Sequence, residues 1–278
     1  MNTLRYEVTG RIARITLDRP ERANAITLEM PRELAECVEE ANLDSSVHVI
    51  ALAGAGKGFC GGYDLVEYAE RRPPNHDPDE AWDPVVDWQM MSRNLRGFMS
   101  LFHSDKPVVC KVHGFCVAGG TDLALCADLL VIADDARIGY PPARVWGVPT
   151  SALWAFRVGD QRAKRLLFTG DLIDGRTAHD WGLAVEAPPA AELDERFERL
   201  AERIALTPVN QLVMMKLLVN QALYAQGLHA TQALGVFFDG IARHTPEGYD
   251  FQRRAAAVGF KHAVRERDQP YGEAESRS

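Results

Sequence analysis

The sequence predicts an α/β core that runs into an α-helical tail, and three observations carry this. Short apolar runs of strand type recur at 47–53, 107–112 and 129–133. Two of them lead directly into glycine-rich turns, at 54–62 and 114–120. From residue 190 onward the pattern is helical only, with amphipathic spacing over 193–206, 209–224, 231–242 and 246–258. No Gly/Ser-type linker, repeat or low-complexity tract separates the two parts.

The elements follow in order. Leu4, Tyr6 and Val8 alternate on one face, and Ile15 and Leu17 follow the Gly10 turn, which predicts a β-hairpin. The polar loop 18–25 carries Arg19 and Arg22; it is either a solvated connection or a basic loop able to meet phosphates. A helix comes next, with Thr27 as N-cap, Pro31 in its first turn, and Leu34, Val38 and Ala41 on its apolar face. After the strand at 47–53, Gly56, Gly58 and Gly61 match G-x-G-x-x-G. The residues about 20 positions on, Trp82 and Asp83, lie in a proline-rich stretch rather than at a strand tip, so a dinucleotide site is poorly supported. Lys57 lacks the G-K-[ST] context of a P-loop. Residues 71–87 read as a long surface loop and about 88–101 as a helix. The proline- and aromatic-rich loop 138–149 suits a rigid corner or a pocket wall equally. Asp174 caps a short helix, and 183–185 is expected to be a last strand.

The formal charge of −8 argues against a general nucleic-acid binder. No run of about 18 apolar residues predicts a membrane span, and the first residues lack the apolar core of a signal peptide. Five cysteines without a C-x-x-C pair read as reduced core thiols, which places the expected compartment in the cytosol.

Chemistry concentrates at 112–128. The apolar strand ends there, Gly119 and Gly120 stand where a helix begins, and Asp122 follows one turn along on the same face. The first amides of a helix have no intrahelical partner, and glycine lets a ligand approach the backbone. Two strand–turn–helix units with glycine at the turn can aim two N–H donors at one atom, an oxyanion hole in which each donor contributes about 3 kcal/mol in the transition state. Asp122 beside it can move a proton.

Several ordered motifs resemble the crotonase (enoyl-CoA hydratase/isomerase) superfamily over nearly the whole chain. They are Asp18-Arg19-Pro20 with Asn24-Ala25-Ile26, then Phe59-Cys60-Gly61-Gly62-Tyr63-Asp64-Leu65, then Ala118-Gly119-Gly120-Thr121-Asp122-Leu123-Ala124 with Cys126-Ala127-Asp128. The resemblance implies a crotonase-like spiral of ββα units with a C-terminal helical trimerisation region. Residues 1–200 would form the core with the CoA and acyl site, and 201–278 the helical region for oligomerisation and pocket closure. It also implies a homotrimer or homohexamer, an acyl-CoA thioester substrate, and no metal or further cofactor, coenzyme A entering as part of the substrate. By motif position the oxyanion donors are Gly61 and Gly119. Arg22, Ala23 and Ala25 would meet CoA, with Phe59, Cys60, Tyr63 and Asp64 along its adenine and pantetheine; the motif position of Asp64 also suggests an anchor of its loop. Tyr140 and Trp146 are expected at the acyl group.

The chain departs from the pattern in one place. A hydratase of this family uses two glutamates; Asp122 stands for the first, but the second falls at Pro142, which cannot transfer a proton. The expected activity is an enoyl-CoA hydratase-like lyase reaction of fatty acid metabolism with Asp122 as acid/base. The alternatives are isomerisation, hydrolysis or decarboxylation, and binding with little turnover.

Overall fold

The computed structural model describes residues 1–70 and 81–275; the surface loop expected at 71–87 therefore lies mostly outside the described residues. The N-terminal alternation gives strands β1 (Leu4–Thr9) and β2 (Ile12–Leu17), paired antiparallel around Gly10, whose φ of +60° suits a residue without Cβ. Helix α1 (Met30–Leu43) begins later than expected, yet the Thr27 hydroxyl accepts from the Met30 N–H at 3.1 Å, so it caps the first turn as the sequence suggested. Strand β3 (Val49–Gly54), helix α2 (Pro84–His103) and strand β4 (Val108–Val112) follow. Then come β5 (Phe115–Val117), α3 (Gly119–Ala124), β6 (Leu129–Ile132) and β7 (Arg137–Gly139).

Two sheets result. The five-stranded sheet runs β1-β2-β3-β4-β6 and is parallel except at the hairpin. Its near-continuous apolar strands are those of a sheet covered on both faces. The second sheet holds β5, β7 and β8 (Leu172–Asp174). β8 was not expected, whereas 183–185 is no strand: the pairing there is one isolated bridge, Val131 with Glu186. A three-residue edge strand such as β8 offers too little periodicity to be read.

The remaining helices are α4 (Trp154–Val158), α5 (Asp160–Thr169), α6 (Gly175–Asp180), α7 (Leu193–Ala205), α8 (Val209–Ala225), α9 (Leu228–Arg243), α10 (Pro246–Val258) and α11 (Phe260–Glu275). Asp174 caps α6 by accepting from the Thr177 N–H at 2.8 Å, as expected. One buried apolar cluster runs from Leu4 to Val236, and a smaller one joins Phe251, Ala255, Phe260 and Ala263 to Leu65, Val145 and Trp146. The last two helices thus sit on the edge of the core rather than in it. Among the described residues, no helix is long and apolar enough to cross a membrane.

Candidate active site

The two glycine turns meet. Val117 N–H donates to the Cys60 carbonyl at 3.0 Å, and the backbones of Cys60 and Cys116 pair in an isolated parallel β-bridge. The packing leaves no room for side chains: a Cβ at Gly119 would stand 2.6 Å from the Tyr63 ring, and one at Gly120 2.7 Å from the Cys60 carbonyl oxygen. Ala118 turns the chain with φ 54° and ψ −132°, a conformation L-residues rarely adopt, held by Gly139 O at 3.1 Å and by both donors of Thr121. Gly119 is then the first residue of α3, and its N–H has no intrahelical acceptor.

Gly61 does not supply the second donor. Its N–H is spent on the Ala23 carbonyl at 2.8 Å. Tyr63 is placed differently. Ile26 donates to Gly62 O at 2.8 Å and accepts from Asp64 N–H at 2.9 Å, so the amide of Tyr63, lying between them, faces away from Ile26. Sequence reading missed this because glycine marks where a backbone must bend, and not which amide the bend leaves free.

Other expected ligands are structural. The Asp64 carboxylate is held by both terminal nitrogens of Arg19 at 3.0 Å and accepts from Val66 N–H at 3.1 Å. Phe59 is fully buried in the core, and the Cys60 thiol donates to Asn24 O at 3.2 Å. The Asn24 amide in turn ties Ala55, Gly58 and Phe59 carbonyls into one loop. Arg22 is exposed and Ala23 and Ala25 are half-buried beside the Gly61 turn, outside the walls of the cavity described next. Burial pushes the Cys60 thiol up to about 12, so it stays neutral.

A cavity of about 340 Å³ opens beside these turns, within the range of small-molecule sites. Its inner wall includes Gly61, Tyr63, Gly119, Tyr140, Pro142 and Trp146, and α10 and α11 close it with Phe251, Phe260 and Val264. Tyr140 and Trp146, the residues expected at the acyl group, both line this cavity. Trp146 has φ +86° and packs between Phe251 and Phe260, with ring centroids at 5.6 and 5.1 Å.

Asp122 lies behind the first layer of this wall, 1% exposed. Its Oδ1 accepts from the Ser151 N–H at 2.8 Å and the Ser151 hydroxyl at 2.7 Å. Its Oδ2 has no partner within the protein, and neither has the Tyr63 hydroxyl. Burial raises the Asp122 carboxyl to about 7, against the Ser151 hydrogen bonds. Burial also lifts the phenols of Tyr63 and Tyr140 well above the ordinary value, and the charges of Asp122 and Asp239 add to it. The Asp122 and Asp239 charges are thus both felt at the two phenols.

Asp239 is the member that sequence reading missed. It projects from α9 into the cavity wall, 4% exposed, and accepts from the Val148 N–H at 3.1 Å. Arg243, one helical turn on, is ion-paired with it and reaches Asp87 at 3.0 Å. Trp82 Nε1 donates to the other Asp87 oxygen at 2.6 Å. Burial raises the Asp239 carboxyl while Arg243 opposes that shift. Burial works against the Arg243 cation too, but Asp239 and Asp87 outweigh it and raise its pKa. Among the described residues, no cluster of three His, Cys, Asp or Glu side chains could hold a metal ion.

Comparison with known proteins agrees with this frame. The enoyl-CoA hydratase/isomerase family model matches residues 7–245. The crystal structure of an enoyl-CoA hydratase from Mycobacterium smegmatis is 60% identical, with a TM-score of 0.93 over 97% of this chain and 94% of that one. The carnitinyl-CoA dehydratase of Proteus mirabilis is 31% identical over 73% of this chain and 74% of its own length. The 1,2-epoxyphenylacetyl-CoA isomerase of Escherichia coli K12 is 30% identical over 75% of this chain and 78% of its own. With a family model spanning most of its length and the crotonase fold throughout, this chain belongs to the enoyl-CoA hydratase/isomerase family of the crotonase superfamily.

Proposed function

We propose that the protein is an enoyl-CoA hydratase-type lyase that holds a thioester enolate between the amides of Gly119 and Tyr63 and moves a proton through Asp122. One observation carries the reading: a buried carboxyl without a counter-ion, with one oxygen unpartnered in the protein, stands one helical turn from a free amide at a mostly apolar cavity. A buried polar atom left unpaired is costly, so water or the substrate is the partner it awaits. A carboxyl near pKa 7 is suited to giving up or taking a proton at neutral pH.

The substrate is an acyl-CoA thioester, and coenzyme A enters as part of it with no other cofactor. Exposed Arg22 beside Ala23 and Ala25 is available to the CoA phosphates. The aromatic side chains around the cavity favour a bulky or cyclic acyl group. The chain assembles as a homotrimer or homohexamer through the apolar outer faces of α8 and α9.

The test is absorbance at the conjugated thioester band with crotonyl-CoA and longer 2-enoyl-CoAs. Wild type should remove the band and Asp122→Ala should not. If 3-enoyl-CoAs gain the band while 2-enoyl-CoAs keep theirs, the enzyme is instead an isomerase, a reading that the proline at 142 favours because one shuttling base suffices.

A further inference from the structure

Pro142 leaves the site one proton-handling group short, and the structure brings a carboxylate to that spot from elsewhere in the chain. A Cβ built on Gly147 would stand 3.0 Å from the Pro142 Cβ, 3.3 Å from the Tyr140 hydroxyl oxygen and 3.6 Å from Asp239 Oδ1. Those three atoms surround one point in the cavity wall, and glycine at 147 keeps it open. Asp239 Oδ1 faces it with a single bond from the Val148 amide, while Oδ2 is held by Arg243.

We propose that Asp239, supplied by α9, is the second acid/base residue of the site and works as a pair with Asp122. The inference rests on the hydratase reading above. The two carboxyls differ in one respect that assigns their parts: Asp239 has a buried cation bonded to it, and Asp122 has none. Burial raises both carboxyls, but only at Asp239 does a bonded cation oppose the rise and favour the ionised form; burial without a counter-ion favours the neutral acid, and groups that differ in this way divide acid from base work. Burial does the second for Asp122, holding it near 7.

In hydration, the oxygen of a water molecule bonds to Cβ while one of its O–H bonds breaks and that proton goes to Asp239. The Cα–Cβ π pair moves to form the enolate, whose oxygen lies between the Gly119 and Tyr63 amides. The O–H bond of Asp122 then breaks, and its proton joins Cα with the enolate pair. The product carries the elements of one water. Asp239 is left neutral and Asp122 ionised, and one proton returned through solvent restores both. Arg243, Asp87 and Trp82 are positioning residues, since they hold Asp239 from behind.

The experiment measures hydration by Asp239→Asn and Asp239→Glu in the full-length protein, alongside solvent deuterium exchange at Cα of butyryl-CoA. The asparagine variant should lose kcat by on the order of 100-fold or more, with KM within about 3-fold, and glutamate should recover part of it. Cα exchange, which needs only Asp122 and the oxyanion amides, should persist in both variants. Hydration at the wild-type rate by Asp239→Asn overturns the inference alone. Joint loss of hydration, exchange and folded-state circular dichroism in both variants also overturns it, assigning Asp239 a structural role. Wild-type protein that exchanges Cα but hydrates nothing overturns the hydratase reading itself, and the water-activating part of Asp239 with it.

Discussion

The Asp122 carboxyl carries one satisfied oxygen and one open one, and its environment decides which protonation state does the work. A carboxyl normally near 3.9 is raised by burial to about 7. In the hydration proposed above Asp122 acts in its protonated form, so kcat/KM for a 2-enoyl-CoA should fall as pH rises through about 7. The same shift affects folding. A carboxyl raised in the folded state favours the neutral form, so its stabilising contribution is complete below the unfolded pKa and disappears as pH rises through the folded one. Denaturant titrations should therefore show wild type losing stability between roughly pH 4 and about 7, with Asp122→Asn flatter over that window. A kcat/KM profile level through pH 7 would remove Asp122 from the acid role. How far this site could be read in advance differs residue by residue. Gly119 and Asp122 were legible because backbone turns and first-turn acids leave local marks. Asp239 was not: with Arg243 four residues on, it has the spacing of an ordinary surface ion pair, and only tertiary packing turns that pair inward. Asp64 was legible as the anchor of its glycine loop, but not that Arg19, 45 residues earlier, is what holds it.

At the scale of elements, α8 and α9 are amphipathic in the reverse sense. Their inner faces carry buried polar groups. Lys216 of α8 is buried, donating to Leu101 O at 2.8 Å and pairing with Asp128 at 2.8 Å. Gln232, Asp239 and Arg243 of α9 are buried, and the Gln232 amide reaches Ser151 O at 3.2 Å, so α9 also braces the residue that holds Asp122. The outer faces are apolar: Leu218 is 69% exposed and Phe238 47%, among Met214, Leu217, Val219 and Phe237. A contiguous apolar patch of this kind marks an association surface, and further copies of this chain are the partner proposed for it. Leu218→Glu with Phe238→Glu should shift the protein toward monomer in light scattering. A monomer already in wild type at micromolar concentration would sink the assembly. The helices themselves were readable from apolar spacing, but their orientation was not, because periodicity identifies an apolar stripe without saying whether the core or a neighbour covers it.

For the whole molecule, the division of the interior matters most. The main apolar cluster extends from Leu4 to Val236, whereas α10 and α11 close the cavity through a small cluster of their own. Ion pairs reinforce that cover at its edge: Arg144 meets Asp268 at 3.0 Å and stacks on Tyr271 at 4.1 Å. A segment held by few buried contacts opens more readily than the core it rests on. The architecture was visible early, as apolar strands alternating with helices and then helices alone. Which helices would close the cavity was not, because Phe251 and Phe260 find Trp146 across more than a hundred residues.

The five cysteines are free and wholly buried, spread over α1, β4, β5, the glycine turn before Tyr63 and the turn after α3. Buried thiols are chemically silent until the chain around them opens, so each one is a clock for its own surroundings. The rate at which an alkylating reagent reaches Cys37 or Cys110 times the breathing of the sheet and the helix against it. Cys60 and Cys116, paired through their backbones at the junction of the turns, time the opening of the proposed oxyanion site. A bound acyl-CoA analogue should slow labelling at those two more than at Cys37, and equal slowing at all five would mean that only complete unfolding exposes them. Mass spectrometry of partly labelled protein would thus map where this fold is soft without altering a single residue.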